Sequence, residues 1–291
     1  MHDAFGACNG VQALAASCKI QTMPPVDPIA SVDPVAVRGD RLRPLRYLLR
    51  APLLVLHLVV SLPIALLLIG LPTASLRLSS GERVDHRAIR AWSAGLLRIF
   101  GFRLSRHGTP LPGAALFIAN HVSWIDITLM HSQHAVGFVA KDEISRWPLV
   151  GWLGRRAGTI YHRRGSDHSL RDVMQQMVTR MRAGFAIGVF PEGGTGDGRR
   201  LRVFHARILQ TAVDAGVPVQ PVALCYGERG IAQAEVAFAP GEPFLHNFFR
   251  LLGDRSRSAE VHFLEPVAPV SGGRRGMAEL ARARIGETLA A

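Results

Sequence analysis

Lysine is almost missing from this chain: of 34 basic residues, Lys19 and Lys141 alone are lysine and the rest are arginine. Cysteine is scarce too. Cys8, Cys18 and Cys225 are odd in number, widely spaced and without metal-ligand spacing. That excludes a disulfide framework and a cysteine-based metal site, and it fits free thiols in a reducing compartment. Residues 1–37 lack helical periodicity, and they lack the basic start and unbroken apolar core of a signal peptide. With Pro24, Pro25, Pro28 and Pro34, this stretch reads as a disordered leader. Internal repeats and low-complexity tracts are absent as well.

Charge is missing from one long stretch. Between Arg50 and Arg77, 26 residues carry no Asp, Glu, Lys or Arg. The surroundings are the reverse. Residues 38–110 hold twelve arginines against Asp40, Glu82 and Asp85, a net +9 of the chain's +12. A basic surplus can mean nucleic acid, but these arginines bracket an apolar run and no nucleic-acid motif accompanies them. The pattern reads instead as attraction to anionic lipid head groups. As one helix, the uncharged run would be about 39 Å long at ~1.5 Å per residue. That exceeds a hydrocarbon core of ~30 Å. Pro52, Pro63 and Pro72 interrupt it, and arginines crowd both ends. The expectation is therefore a re-entrant hairpin that returns both ends to one leaflet, in preference to a tilted span. A second segment, residues 85–101, sets Ile89, Trp92, Leu96, Leu97 and Phe100 at near-helical spacing beside Arg87, Arg90 and Arg98. It fits a core-packed helix and a membrane-contacting one equally.

From residue 114 onward, apolar runs alternate with helical patterns. Strands are expected at 115–119, 136–140, 158–162, 186–190, 219–224, 234–238 and 260–264, and helices at 124–132, 167–183, 202–215 and 275–289. This alternation predicts an α/β fold, a central mostly parallel sheet flanked by helices, preceded by an N-terminal apolar membrane-associated helical segment.

The most informative stretch is Asn120-His-Val-Ser-Trp-Ile-Asp126. It follows the apolar run Ala115–Ala119 and places His121 at a strand exit with Asp126 at the start of the next helix. A carboxylate so placed can fix an imidazole tautomer and stabilise the imidazolium, while the other ring nitrogen takes a proton from a hydroxyl. No Cys or Ser stands beside it as an obvious covalent nucleophile. The same residues also fit a capping box, with Ser123 at the N-cap and Asp126 bonding back to its amide. Spacing alone leaves both open. A second motif, Ala186-Ile-Gly-Val-Phe-Pro-Glu-Gly-Gly-Thr-Gly-Asp-Gly198, runs from an apolar strand into a glycine-rich turn where backbone can approach a ligand closely.

Together these motifs resemble the glycerolipid acyltransferase family, typified by 1-acylglycerol-3-phosphate acyltransferase. Asn120, His121 and Asp126 match its Asn-His-x-x-x-x-Asp motif. Gly158–Arg164 resembles its second motif, a strand ending in arginine. Phe190–Gly193 matches Phe-Pro-Glu-Gly, and Val217–Leu224 resembles the proline-containing fourth motif. The four stand in family order. Two positions depart from the pattern. Many members follow Phe-Pro-Glu-Gly with Thr-Arg, whose arginine helps hold the acceptor's phosphate. Here those positions are Gly194 and Thr195, with Arg199, Arg200 and Arg202 downstream. His162 also replaces a usual apolar residue. The variant is similar to a bacterial branch that includes lyso-ornithine lipid acyltransferases.

The resemblance implies that His121 is the general base and Asp126 its orienter. It implies acceptor binding by Asn120, Lys141, Arg164, Glu192, Gly193, Gly194 and Thr195. Glu192 would bond acceptor hydroxyls or order the turn. No metal or bound cofactor is expected; acyl-CoA or acyl carrier protein is the thioester co-substrate. The partners are membrane lipids and a lysolipid acceptor, without nucleic acid. The leading acceptor is 1-acyl-sn-glycerol 3-phosphate, with lyso-ornithine lipid as the alternative; a non-catalytic membrane-binding protein is the reading from another class. His131 and His134, with no partnered acid, read as surface residues. The expected organisation is a leader (1–37), a basic and apolar helical region (38–108) and an acyltransferase α/β domain with a C-terminal helix (109–291). The expected location is a bacterial inner membrane with the catalytic domain facing the cytoplasm.

Overall fold

The computed structural model describes residues 40–146, 150–156, 158–162, 167–267 and 273–291. The expected leader and Arg164 lie outside the described residues. Residues Arg41–Ala291 form one compact unit. Its helices are α1 (Arg43–Leu56), α2 (Leu62–Gly70), α3 (Val84–Ile99), α4 (Ile125–Gln133), α5 (Asp142–Ser145), α6 (Val150–Arg156), α7 (Asp167–Arg182), α8 (Gln210–Ala215), α9 (Gln233–Val236), α10 (Phe244–Gly253) and α11 (Gly273–Ala290). Its strands are β1 (Phe102–His107), β2 (Leu116–Ala119), β3 (Gly137–Lys141), β4 (Ile160–His162), β5 (Ile187–Val189), β6 (Val219–Tyr226) and β7 (Arg257–Phe263).

The strands form one seven-stranded sheet in the order β1-β7-β6-β2-β5-β3-β4. Every pairing is parallel except β6 with β7. The sequence explains which strands are central. β2 and β6 are buried at every position, as apolar runs covered by helices on both faces must be. On one face, Leu97, Phe117, Ile125, Leu129 and Leu224 pack with α3, α4 and α10. On the other, Leu116, Ile118, Met177, Ala281 and Ile285 pack with α7 and α11.

Several elements differ from the sequence expectation, among them the helix expected over 202–215, which begins only at Ala206, and the unexpected α5 and α6. Residues 234–238 are not a strand; α9 takes most of them, and the place beside β6 goes to β7. Phe102–His107 forms an edge strand, so the sheet begins ahead of residue 109. Its arginines hid the alternation of Phe102 and Leu104. Helix α10 was unforeseen, because its aromatic-rich sequence also suits a strand.

The apolar run is not a hairpin. Arg43–Gly70 is one continuous helix of 28 residues. The ladder widens to a π turn at His57–Ser61, where the Leu62 amide reaches back to the His57 carbonyl. This turn lies immediately before Pro63, and the wider turn accommodates a ring that a regular α-helix would reject. The returning leg is α3, reached through a tight antiparallel bridge between Arg77 and Arg83. For α3 the core-packed alternative holds along one face: Ala88, Ala94, Leu96 and Leu97 are buried.

One face of the 43–70 helix packs on the domain. Leu54, Leu62, Ala65 and Ile69 are buried. Tyr47 Oη donates to the Phe249 carbonyl at 2.6 Å, and Arg46 to that of Gly253 at 2.8 Å. Arg50 donates to the carbonyls of Leu252 and Asp254 at 2.8 and 2.7 Å. These side chains cap the carboxyl end of α10, where carbonyls lack helical partners. The opposite face leaves Leu48, Leu49, Leu53, Val59, Ile64 and Leu67 exposed.

Candidate active site

The site forms where the parallel strands β2, β5 and β6 end. Residues leaving the carboxyl ends of adjacent parallel strands converge in this way. β2 delivers Asn120 and His121, β5 delivers Phe190 to Glu192, and β6 delivers Tyr226.

His121 Nδ1 lies 2.7 Å from Asp126 Oδ2. Asp126 is fully buried, and that oxygen also accepts the amides of Val122 (2.6 Å) and Ser123 (2.9 Å). Its other oxygen accepts a hydrogen bond from the Tyr226 hydroxyl at 2.5 Å. Half of the capping expectation holds: Asp126 accepts the Ser123 amide, but Trp124 is the N-cap of α4 and Ser123 Oγ caps nothing among the described residues, while the same carboxylate holds the imidazole. With Nδ1–H donated to Asp126, Nε2 carries the lone pair. Nε2 has no hydrogen-bond partner among the described residues, and the His121 side chain keeps 15% of its surface exposed. The ring stacks on Phe190, with centroids 3.9 Å apart and planes 13° apart, and Phe190 stacks on Phe138.

The glycine-rich loop braces the His121 backbone. Glu192 Oε1 accepts the His121 amide at 2.8 Å, and Oε2 accepts the Arg202 amide at 3.1 Å. Burial raises the Glu192 carboxyl above its ordinary pKa, against the pull of both amides. The Gly196 amide donates to the His121 carbonyl at 2.7 Å. Asn120 acts like a strand residue: its amide group gives and receives hydrogen bonds with the Leu224 backbone at 3.0 and 2.8 Å, tying β2 to β6. Trp124 Nε1 donates to the buried Asn247 of α10 at 3.0 Å.

A histidine base, a buried carboxylate behind it and an open Nε2 can remove a proton from a hydroxyl. Comparisons with known proteins identify the family. Residues 103–225 match the Acyltransferase family model. The lyso-ornithine lipid O-acyltransferase of Pseudomonas aeruginosa is 39% identical over 67% of this chain and 74% of that protein. The chain belongs to the acyltransferase family. A second relative, the 1-acyl-sn-glycerol-3-phosphate acyltransferase of Neisseria gonorrhoeae, is 35% identical over 53% of this chain and 62% of its own length. The fold is similar to the crystal structure of the 1-acyl-sn-glycerophosphate (LPA) acyltransferase of Thermotoga maritima. The TM-score is 0.61 and identity 20%, over 86% of this chain and 98% of that one.

In this acyltransferase the structure brings His121, Asp126, Asn120 and Glu192 together. Gly193, Gly194 and Thr195 follow on the same loop, with Thr195 exposed. Gly193 takes a φ of 72°, which a side chain would strain. Lys141 ends β3, and its backbone pairs with His162. His131 and His134 are not surface residues. Both are half-buried: His131 Nε2 bonds the Val136 carbonyl at 3.0 Å, and His134 lies against Phe117. Sequence reasoning missed Tyr226, Phe190 as a stacking partner, and Gly196. A weak signal existed for Tyr226, one of three tyrosines, set at the end of an apolar strand.

Proposed function

We propose that this acyltransferase moves a fatty acyl group from a thioester of coenzyme A or acyl carrier protein to the hydroxyl of lyso-ornithine lipid. His121 Nε2 takes the hydroxyl proton, and the oxygen attacks the thioester carbonyl. The carbon–sulfur bond breaks, the ester forms, and the imidazolium returns the proton to the departing thiolate. Asp126 holds the tautomer and offsets the imidazolium charge.

The observation that carries the choice of acceptor is Thr195, an exposed, uncharged residue where the family pattern has a phosphate-binding arginine. An N-acylated ornithine carries a carboxylate and an ammonium but no phosphate, so it does not need that arginine. The relative from Pseudomonas aeruginosa acts on the same class of acceptor by its name. Asn120 and Glu192 position the backbone around His121, and the exposed loop Gly193–Thr195 supplies head-group contacts in this reading; the family resemblance adds Lys141 and Arg164 to them. A second reading, acylation of 1-acyl-sn-glycerol 3-phosphate to phosphatidic acid, is favoured by the exposed Arg199, Arg200 and Arg202 just downstream, which could meet a phosphate.

The exposed apolar face of α1 and α2, flanked by arginines, supports attachment to the cytoplasmic leaflet of a bacterial inner membrane. Labelled acyl donor with a panel of lysolipids, assayed in membranes bearing the protein, tests the function. Lyso-ornithine lipid should be the preferred acceptor. Preference for 1-acyl-sn-glycerol 3-phosphate, lost on neutralising Arg199, Arg200 and Arg202, would establish the second reading.

A further inference from the structure

A cluster of donors stands apart from the catalytic residues, on the edge of the sheet. His107 closes β1, and its register partner on β7 is His262. Glu260 lies two residues earlier on β7, on the same half-buried face as His262. The three side chains offer ligand atoms that all lie within 4.8 Å of one another. Glu260 Oε2 is 3.1 Å from His262 Nε2 and 3.5 Å from His107 Nε2. The two imidazoles stack with centroids 4.3 Å apart.

We propose that His107, Glu260 and His262 bind one divalent transition cation of the zinc class. Metal–nitrogen and metal–oxygen bonds of ~2.0–2.1 Å in tetrahedral geometry place neighbouring ligand atoms roughly 3.3–3.4 Å apart. The two measured carboxylate–imidazole separations lie on either side of that edge. Two imidazoles and one carboxylate select zinc, nickel or copper over magnesium or calcium, which prefer all-oxygen sets. The donors sit on two hydrogen-bonded parallel strands, so their backbones are already in place.

Neighbouring chemistry leaves the set at three. Cys225 is the register partner of Glu260 on β6, but burial first, and Glu260 second, push its thiol up to about 12. It is buried and stands outside the set of donors that lie within 4.8 Å of one another. His107 is half-exposed, which gives the cation an entry path and leaves a coordination position open to solvent. Strand β1 is held in the sheet by β7 alone. A cation bridging His107 to β7 would clip this edge strand in place without touching His121.

The test uses the full chain in detergent, stripped with a chelator and titrated with zinc alone. One tight equivalent should bind and raise the melting temperature, and magnesium and calcium should do neither. His107→Ala alters a half-exposed position on the edge strand, and Glu260→Gln keeps the side-chain shape. Each should weaken that equivalent by about tenfold or more. Cobalt, as a spectroscopic substitute, should give tetrahedral absorption bands that both variants lose. Acyl transfer by the stripped protein should equal that of the loaded one. Zinc uptake that is absent, or that is unchanged in both variants, would overturn the proposal and leave the cluster as a hydrogen-bonded trio.

Discussion

The Tyr226 hydroxyl donates to Asp126 Oδ1 across 2.5 Å, from a strand 100 residues further along the chain. Asp126 turns its second oxygen to His121, so the tyrosine fixes the direction from which the imidazole is held. Burial, and then Asp126 itself, raise the phenol pKa well above its ordinary value, so it stays a donor. Tyr226→Phe should leave one buried carboxylate oxygen unpartnered and free the carboxylate to rotate. The expected result is a fall in kcat on the order of 10- to 100-fold with KM for both substrates little changed, because a small misplacement of a catalytic group is costly. A change in KM alone would remove Tyr226 from the positioning role.

His121→Ala and Asp126→Ala should both lose activity, and unequally. Removing the base eliminates general catalysis, typically on the order of 100- to 10,000-fold. Removing Asp126 also leaves the Val122 and Ser123 amides and the Tyr226 hydroxyl without their acceptor. Asp126→Ala should therefore cost stability as well as rate, whereas His121→Ala should melt near the wild-type temperature. Thermal melts beside initial rates separate the two effects.

Ser123 presents a different case. Its Oγ is buried with no hydrogen-bond partner among the described residues. An unpartnered buried hydroxyl carries a desolvation cost of about 1–3 kcal/mol. Ser123→Ala should thus be neutral or stabilising in denaturant titrations. A clear loss of stability would mean that the hydroxyl has a partner in solution.

How much of this was legible in the sequence follows from separation along the chain. His121 and Asp126 are five residues apart, and local geometry alone brings them together. The alternation of apolar and helical segments likewise gave the sheet and most of its strands. Glu192 reaches the His121 amide over 71 residues, and nothing local says that both its oxygens go to backbone. Tyr226 looked like one more apolar position on β6. The run around Pro63 read as a break because a proline rule for regular helices was applied where a π turn makes room.

Acid should destabilise the protein through His134. Burial, reinforced by His86 and Arg90, lowers its pKa to about 4 from an ordinary 6.5. The fold therefore favours the neutral ring. The sign is that of a depressed group: its contribution is present above about 6.5 and is lost as pH falls toward about 4. Melting temperatures recorded between those limits should drop for the wild type and drop less for His134→Gln. Parallel curves would assign the acid limb elsewhere.

Leu48→Asp and Leu53→Asp alter exposed positions on the apolar helix and should leave the fold intact. Each should weaken binding to anionic vesicles, since burying a leucine side chain is worth about 1.5–3 kcal/mol. High salt alone should not release the wild type, because apolar insertion survives screening. Release by salt, with no effect of either substitution, would make the attachment purely electrostatic.

The contacts of Arg46, Tyr47 and Arg50 with the end of α10 bear on any attempt to make this catalyst water-soluble by trimming. Cutting the apolar helix away would strip the donors from the carbonyls of Phe249, Leu252, Gly253 and Asp254 in one step. The same α10 supplies Asn247, which steadies Trp124 two residues ahead of Asp126. Solubility is better sought by recolouring the outer face of that helix with polar side chains, leaving its inner face and its arginines in place.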